Sequence, residues 1–216
     1  MTKGAIFDVD GTLLDTMPLW KNAAGNYLNS IGVEVDTPLI ETVFSKTLPE
    51  SARFIRDEYH LDATIPEILD GIMRSVYMGY LKTVDLKPGA REFLRALHER
   101  DIPMAIVSSG TEELIRPAFR RLGIEDLFTA YFASSETGVH KRQPTMFLDA
   151  AESIGTHPRN TWVFEDAAYA AAVADKAGFH TIGIADETSA AEEQLLRSIT
   201  EDFWEVYPPR IPSFLL

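Results

Sequence analysis

Two aspartates, Asp8 and Asp10, stand at the end of an apolar run and directly before Gly11-Thr12, in "AIFDVDGTLLDT". Aspartate is depleted in strands because its side chain prefers to bond turn backbone. Two of them here weaken the strand, a cost that a chemical role can offset. Side chains two apart on a strand point the same way, so Asp8 and Asp10 are expected to project together from the strand's C-terminal end. Paired carboxylates repel one another, and burial sharpens the repulsion unless a cation sits between them. A hard divalent cation such as Mg²⁺ suits an oxygen-only cluster. The competing reading is an Asx-turn that merely ends the strand, which accounts for one aspartate better than for two.

Three further stretches belong with that pair. Glu165 and Asp166 close the run "WVFED". Parallel strands of one sheet bring their C-terminal ends together, so Asp166 is expected to join Asp8 at one metal. Alternatively the two acids serve only the dipole of the next helix. In "IVSSGTEEL", Ser108 and Ser109 fall between a strand and a helix, where hydroxyls and free N–H groups suit a phosphate oxygen. A helix N-cap by Ser109 or Thr111 is compatible with that role. Lys141, in "GVHKRQP", supplies positive charge that three carboxylates and a phosphate would need beyond one metal. The five histidines show no metal-ligand spacing, and no Walker A loop, G-x-G-x-x-G or G-x-S-x-G motif is present.

The elements that must position these residues follow from hydrophobic pattern. Residues 4–9, 103–108, 162–166 and 180–185 read as buried strands, with 130–134 a weaker fifth. Helical patterns cover 90–100, 112–123, 145–155 and 167–178. Near-continuous apolar strands alternating with helices imply a mostly parallel sheet covered on both faces. Residues 15–85 break the rhythm with successive helices, about 18–30, 38–47, 49–59 and 65–82. Pro18, Pro38, Pro49 and Pro66 fall near their starts. The expected architecture is α/β: a Rossmann-like doubly wound parallel sheet core, residues 1–14 and 86–216, with an all-helical cap, residues 15–85, inserted after the first strand. The proline-rich tail 206–216 is expected to pack on the core rather than to form a subunit contact.

Composition narrows the possible partners. The 216 residues include 45% apolar and 25% charged residues, the profile of a globular protein with a substantial core. Twenty basic against 33 acidic residues leave a net charge of −13, which repels nucleic-acid backbones and anionic membranes. Neither is an expected partner. The absence of cysteine excludes disulfides, thiolate zinc sites and cysteine nucleophiles. No apolar run approaches the roughly 20 residues of a spanning helix, and no signal peptide is visible at the N-terminus. A cytoplasmic protein, monomer or homodimer, is expected.

Taken together, the motifs resemble the haloacid dehalogenase superfamily. D-x-D-G-T stands as Asp8-Val9-Asp10-Gly11-Thr12, the strand ending in serine as Ser108, the lysine setting as Lys141 with Pro144, and the acidic pair as Glu165-Asp166 followed by "KAGF". The helical insertion resembles the cap of the branch that holds β-phosphoglucomutase and many small-metabolite phosphatases. The resemblance implies a Mg²⁺-dependent phosphatase. Asp8 would be the nucleophile, forming an aspartyl-phosphate, and Asp10 the proton shuttle. Asp8, Asp166 and the backbone carbonyl of Asp10 would bind the metal, with Glu165 behind those ligands. Gly11, Thr12, Ser108, Ser109 and Lys141 would hold the phosphoryl group. A cap of this kind closes over the site in the family, so Trp20, Lys21, Lys46 and Arg53 become candidates to face the substrate. Ala167 and Ala170 replace the family's usual serine and glycine after the acidic pair, and His140-Lys141-Arg142 replaces Gly-Lys-Pro. Trp20 stands where the mutase branch carries a histidine, which favours a phosphatase over a sugar-phosphate mutase. True dehalogenases lack the second aspartate, so Asp10 argues against their chemistry. A catalytically silent binding module on the same fold is the remaining alternative.

Overall fold

A computed structural model describes residues 2–215. Its chain order is β1 (Gly4–Phe7), α1 (Met17–Lys21), α2 (Ala23–Ser30), α3 (Thr37–Phe44), α4 (Leu48–Glu58), α5 (Ile65–Lys82), α6 (Ala90–His98), β2 (Met104–Ser108) and α7 (Glu112–Leu122). There follow β3 (Ala130–Ala133), α8 (Ser134–Thr137), α9 (Thr145–Ser153), β4 (Thr161–Glu165), α10 (Ala168–Lys176), β5 (His180–Ile184), α11 (Glu193–Ile199) and β6 (Asp202–Trp204). The chain divides into two compact units: residues through Asp15 with those from Asp85 onward, and Thr16–Val84.

The first unit is built on a six-stranded sheet in the order β3-β2-β1-β4-β5-β6, every neighbouring pair parallel. β1 is central and fully buried, with Ala5 opposite Met104 on one side and Trp162 on the other. The order turns back at β1, because β2 and β3 add on one side and β4 to β6 on the other. That reversal opens a crevice at the C-terminal strand ends, the place where α/β sheets bind ligands.

Alternation along the strands divides the core. On one face Ile6, Val107 and Val163 pack with Phe147, Ala150 and Ala174 from α9 and α10. On the other, Phe7 stacks on Phe164 with centroids 4.4 Å apart, and Phe93 of α6 meets Trp204 and Tyr207. Such aromatic pairs add about 0.5–1.5 kcal/mol each beyond the area they bury. The C-terminal tail closes this aromatic layer, as expected: Tyr207 and Leu215 are buried, and the Tyr207 hydroxyl donates to the Thr12 carbonyl at 3.3 Å.

The second unit is all helix. α5 begins on a capping box, in which the Thr64 N–H donates to the Glu67 carboxylate at 2.7 Å and the Glu67 N–H donates back to the Thr64 hydroxyl. The single helix anticipated over 18–30 is two, α1 and α2, broken at Asn22, whose side chain turns back to donate to the Pro18 carbonyl at 2.7 Å. Asparagine readily takes such local bonds in place of helix geometry. β6, α8 and α11 were not anticipated. β6 has only three residues and opens on exposed Asp202, so it lacks the apolar run by which the other strands are recognised. Among the described residues no helix is long and apolar enough to cross a membrane.

Candidate active site

The site lies at the C-terminal ends of β1, β2 and β4. β1 ends at Phe7, so Asp8 and Asp10 both lie in the loop that follows it. Asp8 is buried and forms an ion pair with the Lys141 ammonium, which also donates to Glu165 at 2.5 Å. Asp10 lies beside the turn after β2: a Cβ placed on Gly110 would sit 3.4 Å from its Oδ2 and 3.2 Å from the Ser108 Oγ. Gly11 follows them in a turn. Its φ is +84°, a conformation that favours glycine, and a Cβ there would stand 2.7 Å from the Asp166 Oδ2. Its N–H is taken by the Leu14 carbonyl at 3.0 Å.

Asp8, Glu165 and Asp166 each present a carboxylate oxygen within 4.8 Å of the others, and all three residues are buried. Only Lys141 among the basic side chains pairs directly with this cluster in the described residues. Burial and the neighbouring Asp8 charge push the Asp166 carboxyl up to about 7, against hydrogen bonding from Ser189 and the attraction of Lys141. Glu165 is raised as well, first by burial and then by Asp8 and Asp166, with Lys141 opposing. Burial works to lower the Lys141 ammonium, but Asp8 and Glu165 hold it above its ordinary value. Three acids with one lysine form a cluster short of positive charge. An all-oxygen donor set of this kind fits a hard divalent cation.

The remaining expected residues divide by place. Ser108 ends β2, is fully buried, and its hydroxyl accepts the Gly110 N–H at 2.9 Å. Ser109 is exposed at the same turn, and the N-cap of α7 is Thr111 rather than Ser109. The Thr12 hydroxyl donates to the Asp166 Oδ1 at 3.2 Å, so its side chain serves that carboxylate. In the helical unit Trp20, Lys21 and Lys46 line a cavity of about 230 Å³ together with Val43, Phe44 and Leu48. Arg53 is exposed and is not part of that lining. The Trp20 indole donates to the Tyr80 hydroxyl at 3.1 Å.

A model of the haloacid dehalogenase-like hydrolases matches residues 5–184. The chain belongs to that family. Among curated members of similar sequence are the validoxylamine A 7'-phosphate phosphatase of Streptomyces hygroscopicus subsp. limoneus, 26% identical over 94% of this chain and 97% of that protein, and the fructose-1-phosphate phosphatase YqaB of Escherichia coli, 29% identical over 84% of this chain and 95% of that protein. A crystal structure of a beta-phosphoglucomutase candidate from Thermotoga maritima shares the fold, with a TM-score of 0.82 and 20% identity over 99% of this chain and 97% of that one.

Several residues around this haloacid dehalogenase-like site carried no sequence signal. The Ser189 hydroxyl donates to the Asp166 Oδ2 at 2.9 Å from a 3₁₀ turn after β5. Lys87 pairs with Asp186 at 2.7 Å at the head of that turn, both side chains largely buried. Ser189 lies 23 residues from Asp166, and Lys87 lies 99 from Asp186. No local pattern encodes either contact.

Proposed function

We propose that this chain is a Mg²⁺-dependent phosphatase that hydrolyses small phosphorylated metabolites through an aspartyl-phosphate on Asp8. The observation that carries the reading is the buried Asp8 carboxylate, set against Lys141 and grouped with Glu165 and Asp166 at the reversal point of a parallel sheet. The phosphatase names of its relatives support it. Asp8, Asp166 and the Asp10 backbone carbonyl would hold the metal, with Glu165 bracing Lys141 behind them. When bound, the metal would supply positive charge that offsets the phosphoryl oxygens.

The chain's own residues do the rest. An Asp8 carboxylate oxygen attacks phosphorus, forming a P–O bond to the enzyme while the ester P–O bond opposite it breaks. Asp10 gives its proton to the departing alkoxide, which leaves as the alcohol. Water then attacks the phosphoryl group and Asp10 takes up the water's proton. The Asp8–phosphorus linkage breaks, returning the free carboxylate and releasing inorganic phosphate. One water is consumed per turnover. Lys141 and the Ser108–Gly110 turn hold the phosphoryl oxygens throughout. The Thr16–Val84 unit would act as the cap that selects the substrate.

The test is phosphate release from an aryl phosphate. Activity should require Mg²⁺, vanish with EDTA, and fall by about three orders of magnitude or more in Asp8→Asn. An Asp8→Asn enzyme as active as the parent removes the mechanism. Trp20 favours hydrolysis over mutase chemistry, because its only polar hydrogen is committed to Tyr80 and it offers no imidazole for proton shuttling. Conversion of β-glucose 1-phosphate in the presence of a bisphosphate primer would reverse that preference.

A further inference from the structure

Asp166 is an expected metal ligand that lies just past the end of β4. Aspartate χ2 is a broad, roughly two-fold torsion, so the backbone alone does not fix where the two oxygens point. Here both oxygens are occupied by hydroxyl donors from distant parts of the chain. Thr12 serves Oδ1 from the loop after β1, and Ser189 serves Oδ2 from the turn after β5. The adjacent position offers nothing: residue 167 is alanine, and as the N-cap of α10 it makes no side-chain bond.

The turn that carries Ser189 is itself fastened. The Asp186 Oδ1 accepts from the Thr188 N–H at 2.9 Å and the Thr188 hydroxyl at 2.6 Å, and the Asp186 carbonyl accepts the Ser189 N–H at 3.1 Å. The Asp186 Oδ2 is taken by Lys87, whose ammonium also donates to the Ala185 carbonyl at 3.0 Å. Gly11 also borders the Asp166 Oδ2, where a Cβ would collide with it. The oxygen therefore has both a glycine backbone and a pinned serine hydroxyl beside it.

We infer that Ser189 is a positioning residue for the metal site, holding the Asp166 carboxylate in one orientation from the Lys87–Asp186 turn in place of any support from position 167. The inference rests on the metal-holding part of the proposed function. Partners behind a metal ligand are worth about 10- to 100-fold in metal affinity. With Thr12 retained, the lower end of that range applies.

The experiment titrates Mg²⁺ calorimetrically into metal-free wild type, Ser189→Ala and Ser189→Thr, with Mn²⁺ electron paramagnetic resonance as a second readout. Ser189→Ala should raise the Mg²⁺ dissociation constant about tenfold, and Ser189→Thr, which keeps the hydroxyl, should return it to within about twofold of wild type. In turnover the Mg²⁺ concentration for half-activity should rise by the same factor, while kcat at saturating metal recovers. An unchanged dissociation constant in Ser189→Ala overturns the inference. So does a lower melting temperature of the metal-free protein with unaltered metal affinity, because that is the mark of a merely structural turn. Wild type that binds neither metal would remove the metal site itself, which separates failure of the proposed function from failure of the role given to Ser189.

Discussion

The sheet edge and the helical unit handle charge in opposite ways. At the edge, Asp8, Lys141, Glu165 and Asp166 are all nearly or fully withdrawn from water, with Lys141 paired to Asp8 and Glu165 and with Thr12 and Ser189 holding Asp166. In the helical unit Lys46 and Arg53 are exposed, and the Lys46 ammonium stands over the Phe54 ring at 5.5 Å. A buried charge that loses its partner is expensive, whereas an exposed one is taken over by solvent. The edge therefore joins stability to chemistry in the same atoms. In the helical unit the two are separable.

The sharpest way to break this contrast is Lys141→Ala. It strands two carboxylates in the core at once and should cost about 3–5 kcal/mol in chemical denaturation, together with a loss of phosphate release of at least about a hundredfold. A variant that lost activity but kept full stability would show that the edge is not interlocked.

Next comes pH. Burial, with Asp8 adding to it, raises Glu165 and Asp166 above their ordinary values, Asp166 to about 7. Across the interval from about 4 to about 7 the native metal-free protein holds protons that the unfolded chain has released. The unfolded state binds fewer protons there, so the contribution of these groups to stability falls as pH rises. Divalent metal requires the ionised carboxylates, so its stabilisation runs the other way. The rise in melting temperature on adding Mg²⁺ should be larger at pH 8 than at pH 6, as calorimetry at the two values would show. A pH-independent rise would place the metal elsewhere.

Smaller effects belong to the helical unit. Trp20→Phe removes the indole donor to Tyr80 and should cost about 1 kcal/mol. Hydrolysis of a generic aryl phosphate should be little changed, while the ranking of natural phosphate esters in a substrate panel shifts. Smallest in stability is Lys46→Ala, which should leave the melting temperature at the wild-type value and change only KM for particular substrates. Loss of aryl phosphate hydrolysis in Lys46→Ala would show that the two regions do not divide the work in this way.

Much of the sheet was legible because buried parallel strands have a simple signature. Residues 4–9, 103–108, 162–166 and 180–185 are apolar almost throughout, and the observed strands fall inside those spans or within one residue of them. Asp202–Trp204 has no such signature, because an edge strand of three residues needs little apolar sequence. In the site, the motif positions could be named from the residues alone, since each acid or hydroxyl stands at or within a few residues of the C-terminal end of a strand. Their mutual arrangement could not. Asp8 meets Lys141, and Asp166 meets Thr12 and Ser189, only through the packing of distant parts of the chain.

What the sequence determined by itself is the set of parts: the alternation of strands and helices, the helical insertion, and the acids, serines and lysine at strand ends. All of these depend on residues close together in the chain. What only the tertiary structure decided is which part meets which. Lys141 with Asp8, Ser189 with Asp166, Lys87 with Asp186 and Tyr207 with Thr12 are joined across 133, 23, 99 and 195 positions. Contacts of that separation arise from strand order and turn geometry, and these are settled when the whole core packs.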